Sequence, residues 1–233
     1  MKRIASIQDI SCLGRCSLTV ALPVISAMGV ECAIVPTAVL STHTMFQNFT
    51  VCDLSDQIMP IARHWKDEKV HFDAIYTGYL ASAEQIGDVC AFFDLLGGED
   101  TMIFVDPAMA DHGKLYPGFG PEFPAEMAKV AARADVGIPN LTEACLLTGA
   151  EYKEEYDEAY IKDLLHRLVA LGAKKAILTG VSFEEGKVGV MSYDSITGEY
   201  FTYFNEKMPV SFHGTGDIYA SAFTGSDERE SII

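Results

Sequence analysis

Short apolar runs alternate with longer amphipathic stretches along this chain, and no other feature constrains its fold as much. The apolar runs are of strand length and the amphipathic stretches of helix length, the pattern of an α/β domain around a largely parallel sheet. Strands are expected at residues 3–7, 31–35, 73–76, 101–105, 136–138 and 175–178. Helices are expected at 16–28, 53–66, 125–133, 142–147 and 156–171, with a further one opened by Ser82. Asp53 or Ser55 caps the second helix in this reading. Ile161, Leu164, Leu165, Leu168 and Leu171 form the apolar stripe of the helix at 156–171. Near the carboxyl end the pattern changes, and 187–193 and 200–204 flank a turn at 195–198 as an antiparallel hairpin. No repeat, low-complexity segment or linker interrupts residues 1–233, so one domain is expected.

Composition excludes several classes of function. The 33 acidic and 17 basic residues leave a formal net charge of −16, which disfavours nucleic acid, whose binding relies on Lys and Arg at phosphates. A nucleotide is not excluded, because it needs only one local pocket of donors. No apolar stretch approaches the roughly 20 residues that span a bilayer. The apolar run behind Met1-Lys2-Arg3 is broken by Gln8 and Asp9, unlike a signal peptide, so a cytoplasmic location is expected. Of the six cysteines, Cys12 and Cys16 alone are close, and no second pair completes a zinc site. Cys32, Cys90 and Cys145 lie in apolar runs and read as buried thiols. Cys16, at a helix start, is the one candidate for a reactive thiol. The six histidines include no helical pair with a third ligand. His43 and His213 fall in candidate site loops, whereas His64 and His166 read as helix-surface residues.

In open α/β sheets ligands collect at the carboxyl ends of the strands. Asp9, Tyr79, Asp106, Asn140 and Thr179 all fall at such ends and are expected to converge. The sharpest feature is Gly214-Thr215-Gly216-Asp217. Its glycines let backbone N–H groups approach an anion, and the helix that follows adds its positive end. An aspartate in that first turn has the chemistry to take a proton from a hydroxyl attacking phosphorus. It equally suits a Gly-rich turn with a first-turn acid stabilising the helix. Asn140-Leu141-Thr142-Glu143 reads as an N-cap with a capping box, or as a place where Glu143 holds a magnesium-bound water. Neither a Walker A loop nor a G-x-G-x-x-G after a strand is present.

Together these pieces resemble the ribokinase-like superfamily and, within it, the pyridoxal (vitamin B6) kinases. The likeness runs through Ser6-Ile7-Gln8, Leu40-Ser41-Thr42-His43-Thr44, Tyr76-Thr77-Gly78-Tyr79-Leu80, Val105-Asp106-Pro107-Ala108-Met109, Pro139-Asn140-Leu141-Thr142-Glu143 and the Gly214 to Asp217 run. The resemblance implies a three-layer fold, with a mostly parallel sheet covered by helices on both faces. It implies transfer of the ATP γ-phosphoryl to the 5′-hydroxyl of pyridoxal, pyridoxamine or pyridoxine, with Mg²⁺ and often K⁺, in a homodimer. Asp217 would then be the base, and Gly214, Thr215 and Gly216 the anion hole. Asp106 and Glu143 would organise magnesium. Asp111 and Tyr116 would lie along the triphosphate, and Asn140 and Thr179 would touch the phosphates or the nucleotide. Thr44, Tyr79, His43 and the residue at position 9 would line the pyridine pocket.

Two departures stand out. Familiar pyridoxal kinases carry serine after Ile-Gln, where this chain has Asp9; a carboxylate there favours a cationic amine or protonated ring, hence pyridoxamine. The final apolar helix is expected to stop at Gly225, before Ser226-Asp227-Glu228-Arg229-Glu230-Ser231-Ile232-Ile233, where family members continue with further helices. A truncated or frameshifted reading is therefore expected, with C-terminal elements missing. The alternatives are a related kinase for a sugar, nucleoside or hydroxymethylpyrimidine, and a non-catalytic protein binding B6 or nucleotide.

Overall fold

Strand β1 (Arg3–Ser11) is buried along nearly its whole length, as a strand covered on both faces must be. It pairs in parallel with β2 (Glu31–Leu40) on one side and β4 (Ala74–Thr77) on the other. The computed structural model describes residues 1–210 and 212–230, with side chains in the last helix through 226. Two compact units arise, one from residues 1–104 and 212–233 and one from 105–211. The chain passes from the first to the second within β5 (Met102–Val105).

In the first unit the strand order is β5-β4-β1-β2-β3, where β3 is Val51–Asp53. Its helices are α1 (Leu18–Ala27), α2 (Ser55–Asp67), α3 (Ala83–Leu96) and α7 (Thr215–Glu230). Helix α1 packs on β1 and β2 and against α7, while α2 packs on β2 and against α3. Ile4, Ile7, Val35, Ile58, Ile75, Phe92 and Phe104 are fully enclosed. Ser82 caps α3 as expected, accepting the Gln85 N–H at 3.2 Å. Asp53 ends β3 instead of belonging to α2, but its carboxylate still accepts the Ser55 N–H at 2.7 Å. A three-residue strand is too short to show a period in sequence.

In the second unit the order is β8-β9-β10-β11, with β8 Val136–Gly137, β9 Lys175–Val181, β10 Lys187–Asp194 and β11 Tyr200–Glu206. Strand β8 runs parallel to β9, and β10 and β11 form the expected hairpin. A small second hairpin joins β6 (Ala110–Asp111) to β7 (Lys114–Leu115). Helices α4 (Phe123–Ala131), α5 (Leu141–Thr148) and α6 (Glu158–Leu171) complete the unit. The predicted stripe of α6 is the buried one: Ile161, Leu164, Leu165 and Leu168. The α/β class and the mostly parallel sheet are those expected from the sequence. Among the described residues no helix is long and apolar enough to cross a membrane.

Strands β1, β2 and β9 run several residues past their expected ends, and the end of the last helix differs as well. Helix α7 does not stop at Gly225 but continues to Glu230. A Cβ at position 225 would lie 2.8 Å from Met28 Sδ and 3.7 Å from Ile25 Cα. Gly225 is therefore a close-approach residue that seats α7 on α1. The final three tail positions, Ser231 to Ile233, lie outside the described residues.

Candidate active site

In the first unit, the turn leading into α7 rests directly on the segment that leads into α1. Gly214 has φ +82°, and a Cβ there would sit 2.1 Å from the Arg15 carbonyl oxygen. Only glycine tolerates both the conformation and the approach. The Gly214 carbonyl accepts the Ile218 N–H at 3.0 Å, closing the first turn. The earlier N–H groups of a helix have no intrahelical partner and face outward along the axis.

Asp217 lies in that turn, partly enclosed. Burial, joined by the charge of Asp9, raises its pKa to about 6, with the neighbouring Ser17 backbone N–H acting in the opposite direction. Asp9 stands within β1, not at its end, and is 3 % exposed. The Ser11 hydroxyl donates to Asp9 Oδ2 at 3.1 Å. Burial still moves the Asp9 pKa upward. The Tyr79 hydroxyl is pushed up to about 12 by burial and by Asp9. Cys16 is buried and raised to about 11, first by burial and further by Asp9 and Asp217. A thiol held that high is protonated at neutral pH and no nucleophile.

The loop after β2 contributes His43 and Thr44. His43 stacks on His213 with ring centroids 4.0 Å apart, which ties the loop to the residue before Gly214. Its ring also lies where a Cβ on Gly14 would stand, 2.0 Å from Cδ2. Thr44 follows, half-buried. Gln8 is fully buried, its Oε1 has no hydrogen-bond partner, and a Cβ on Gly78 would meet that oxygen at 2.8 Å.

The second unit gathers a different set. Asn140 caps α5 and accepts the Glu143 N–H at 3.0 Å, while its amide donates to the Ala110 carbonyl at 2.8 Å. Asn140 also pairs with Thr179 as an isolated parallel bridge, with Thr179 lying inside β9. Glu143 is 2 % exposed. Its Oε2 accepts the Asn140 N–H at 2.9 Å, completing the capping box, and Oε1 accepts the N–H groups of Met109 and Ala110 at 3.1 and 3.4 Å. Burial nevertheless lifts its pKa above the ordinary carboxylate range. Asp111 is exposed at the tip of the β6–β7 hairpin and accepts the His112 N–H at 2.8 Å. Tyr116 is half-buried and donates its N–H to Met109. Asp106, just past β5, is buried.

These donors bear on magnesium. Both oxygens of Glu143 already accept backbone N–H groups, one at Oε2 and two at Oε1. Among the described residues no three acidic, histidine or cysteine side chains cluster as a metal site. The capping box of Asn140 to Glu143 is formed, and it is compatible with Glu143 also holding a magnesium-bound water. Sequence reasoning missed Ser17 altogether. Its φ of 50° is a glycine-type conformation, and nothing in a serine codon announces it.

Residues 20–230 match the phosphomethylpyrimidine kinase family. A Bacteroides thetaiotaomicron protein assigned to the phosphomethylpyrimidine kinases, solved with pyridoxal, is 39% identical with a TM-score of 0.93, covering 98% of this chain and 80% of that one. The pyridoxal kinase of Lactobacillus plantarum is 33% identical with a TM-score of 0.88, covering 98% and 81%. The pyridoxal kinase of Arabidopsis thaliana is 25% identical over 96% of this chain and 73% of its own length. With the match extending over most of the sequence, the chain belongs to the phosphomethylpyrimidine kinase family, phosphotransferases that act on a hydroxyl group.

Proposed function

We propose that this kinase phosphorylates the 5′-hydroxyl of a B6 vitamer at the expense of ATP, with Asp217 as the general base. The observation that carries the reading is Asp217 itself. A carboxylate in the first turn of α7, beside the anion-binding end of that helix and with its pKa raised to about 6 by burial, suits proton transfer at neutral pH. In the step, the hydroxyl oxygen bonds to the γ-phosphorus, its proton passes to Asp217, and the bond from that phosphorus to the ADP oxygen breaks. The N–H groups of Gly214, Thr215 and Gly216 would steady the charge on the transferred group. Thr44, Tyr79, His43 and Asp9 would line the acceptor pocket. Asp106, Asp111, Tyr116, Asn140 and Thr179 would serve the nucleotide, with Glu143 bracing Asn140 and the strand end. Magnesium would supply charge neutralisation as part of the nucleotide complex; K⁺ and a homodimer are further expectations of the same reading.

The bound pyridoxal in a 39%-identical relative favours B6 as acceptor. The family's name supplies the second reading, a hydroxymethylpyrimidine acceptor. A coupled ADP-release assay across pyridoxal, pyridoxamine, pyridoxine and hydroxymethylpyrimidine separates them. Turnover confined to the pyrimidine would replace the first reading with the second. The base must be ionised, so kcat/KM should fall tenfold per pH unit below about 6 and level off above it. A flat profile from pH 5 to 7 would remove Asp217 from the role. Asp9 in the pocket should favour the amine vitamer, so Asp9→Ser is expected to lower the pyridoxamine-to-pyridoxal ratio of kcat/KM about tenfold. Equal ratios in the two enzymes would end that assignment.

A further inference from the structure

We propose that His213 is a positioning residue for the phosphoryl acceptor, its ring stacked on His43 to latch the loop between β2 and β3 onto the turn that opens α7. The inference rests on the reading that His43 and Thr44 of that loop line the acceptor pocket. The loop, residues 41–50, is closed at its neck by two hydrogen bonds. The Ser41 N–H donates to the Thr50 carbonyl at 3.0 Å, and the Thr50 N–H donates to Ser41 Oγ at 2.9 Å. Past the neck Met45 and Phe46 are exposed, and a loop with few buried contacts opens easily. His43 is where this one is tied down. Its N–H donates to the Leu13 carbonyl at 3.2 Å, and its carbonyl accepts the Phe46 N–H at 3.2 Å. Its ring meets Phe46 at 4.7 Å between centroids and His213 at 4.0 Å, the two imidazoles lying within 25° of parallel. Gly14 abuts the same ring, and any side chain there would collide with it.

The hydrogen bonding of the pair suits a stack. His43 Nδ1 accepts the Met45 N–H at 3.3 Å, so that nitrogen carries no proton and the ring is neutral. A neutral ring packs face to face on its neighbour without charge repulsion. His213 in turn directly precedes Gly214, whose φ of +82° and close approach to the Arg15 carbonyl fix the turn. One half of the stack is thus anchored beside the start of α7, and the other half belongs to the loop. Thr44 follows His43 in the chain, so a loop released from the stack lets both pocket residues drift. Asp217 and the N–H groups of the turn keep their place, because Gly214 holds the turn independently of the loop. The loss therefore falls on acceptor binding and spares the chemical step.

The test compares His213→Leu, which keeps apolar bulk without a ring, with His213→Phe, which keeps the ring. His213→Leu is expected to raise the KM for the B6 vitamer about three- to tenfold, the size of one aromatic pair, with kcat and the KM for ATP unchanged. Backbone amides of residues 43–49 should exchange with solvent faster in that variant. His213→Phe should return both readouts to wild type. Leucine and phenylalanine variants that behave alike, whether both intact or both impaired, would overturn the stack, as would a fall in kcat with KM unchanged. Wild-type enzyme that turns over no vitamer would end the acceptor assignment, and the role of the latch in binding the acceptor with it. Turnover of vitamers by all three proteins with one KM and one exchange pattern would remove the latch alone.

Discussion

Asp217→Asn is expected to lower kcat about 10²–10⁴-fold while leaving the folded enzyme more stable than wild type at neutral pH. The two effects have one cause. Folding encloses a carboxyl whose pKa rises from 3.8 to about 6, so its ionisation works against the folded state. That cost is absent below the unfolded value and complete above the folded one. Asparagine cannot ionise and is relieved of it. The gain should therefore be seen above about pH 6, fade between 6 and 4, and vanish below, and its upper bound is about 3 kcal/mol. Thermal melts at pH 4 and pH 7.5 beside steady-state assays would show both effects. A variant both inactive and destabilised at pH 7.5 would point to a structural acid instead. Unchanged kcat would remove the base from the mechanism.

Gly214→Ala is expected to be the most damaging single-methyl change in the first unit. The residue combines φ +82° with a Cβ position 2.1 Å from a backbone oxygen, so there is no flexible neighbour to yield. Either the segment around Arg15 or the start of α7 must move, at a cost of about 2–4 kcal/mol. A displacement near 1 Å in that turn misplaces Asp217 and the N–H groups together, enough for about 10²-fold in rate. Gly216→Ala is the informative partner. A Cβ there meets nothing within 4 Å, so the fold should tolerate it within about 1 kcal/mol. If Gly216 approaches a phosphoryl group, that variant should still lose activity. Full activity in Gly216→Ala would argue that the turn shapes the helix start and nothing more.

The legible part of this molecule was whatever repeats with a period or carries a cap. Buried strands such as β1 and β5, the stripe of α6, and the caps at Ser82 and Asn140 depend on local residue choice, which sequence states directly. The pairs β3 and β6–β7 have two or three residues per strand and exist through tertiary pairing. Glu143 was legible as a capping acid, but not as the acceptor for Met109 and Ala110, which come from 34 and 33 residues away. Asp9 and Asp217 were each visible as candidates. Their mutual repulsion required the segment around Arg15 to be seen against Gly214. Gly225 misled for a general reason. A glycine in a helical run signals either an end or a close neighbour, and sequence does not distinguish them.

That glycine also marks where the two helices meet. Gly225 lies eight residues beyond Asp217, about 12 Å along the helix axis, at the point where α7 touches Met28 and Ile25. The opposite end of α1 begins at Ser17. The two helices therefore lie side by side from the turn that carries the acid to the contact at Gly225. Bulk added at position 225 would press first on the pliable end of the Met28 side chain, so the acid about two turns away should keep its place and Gly225→Ala should turn over like the wild type.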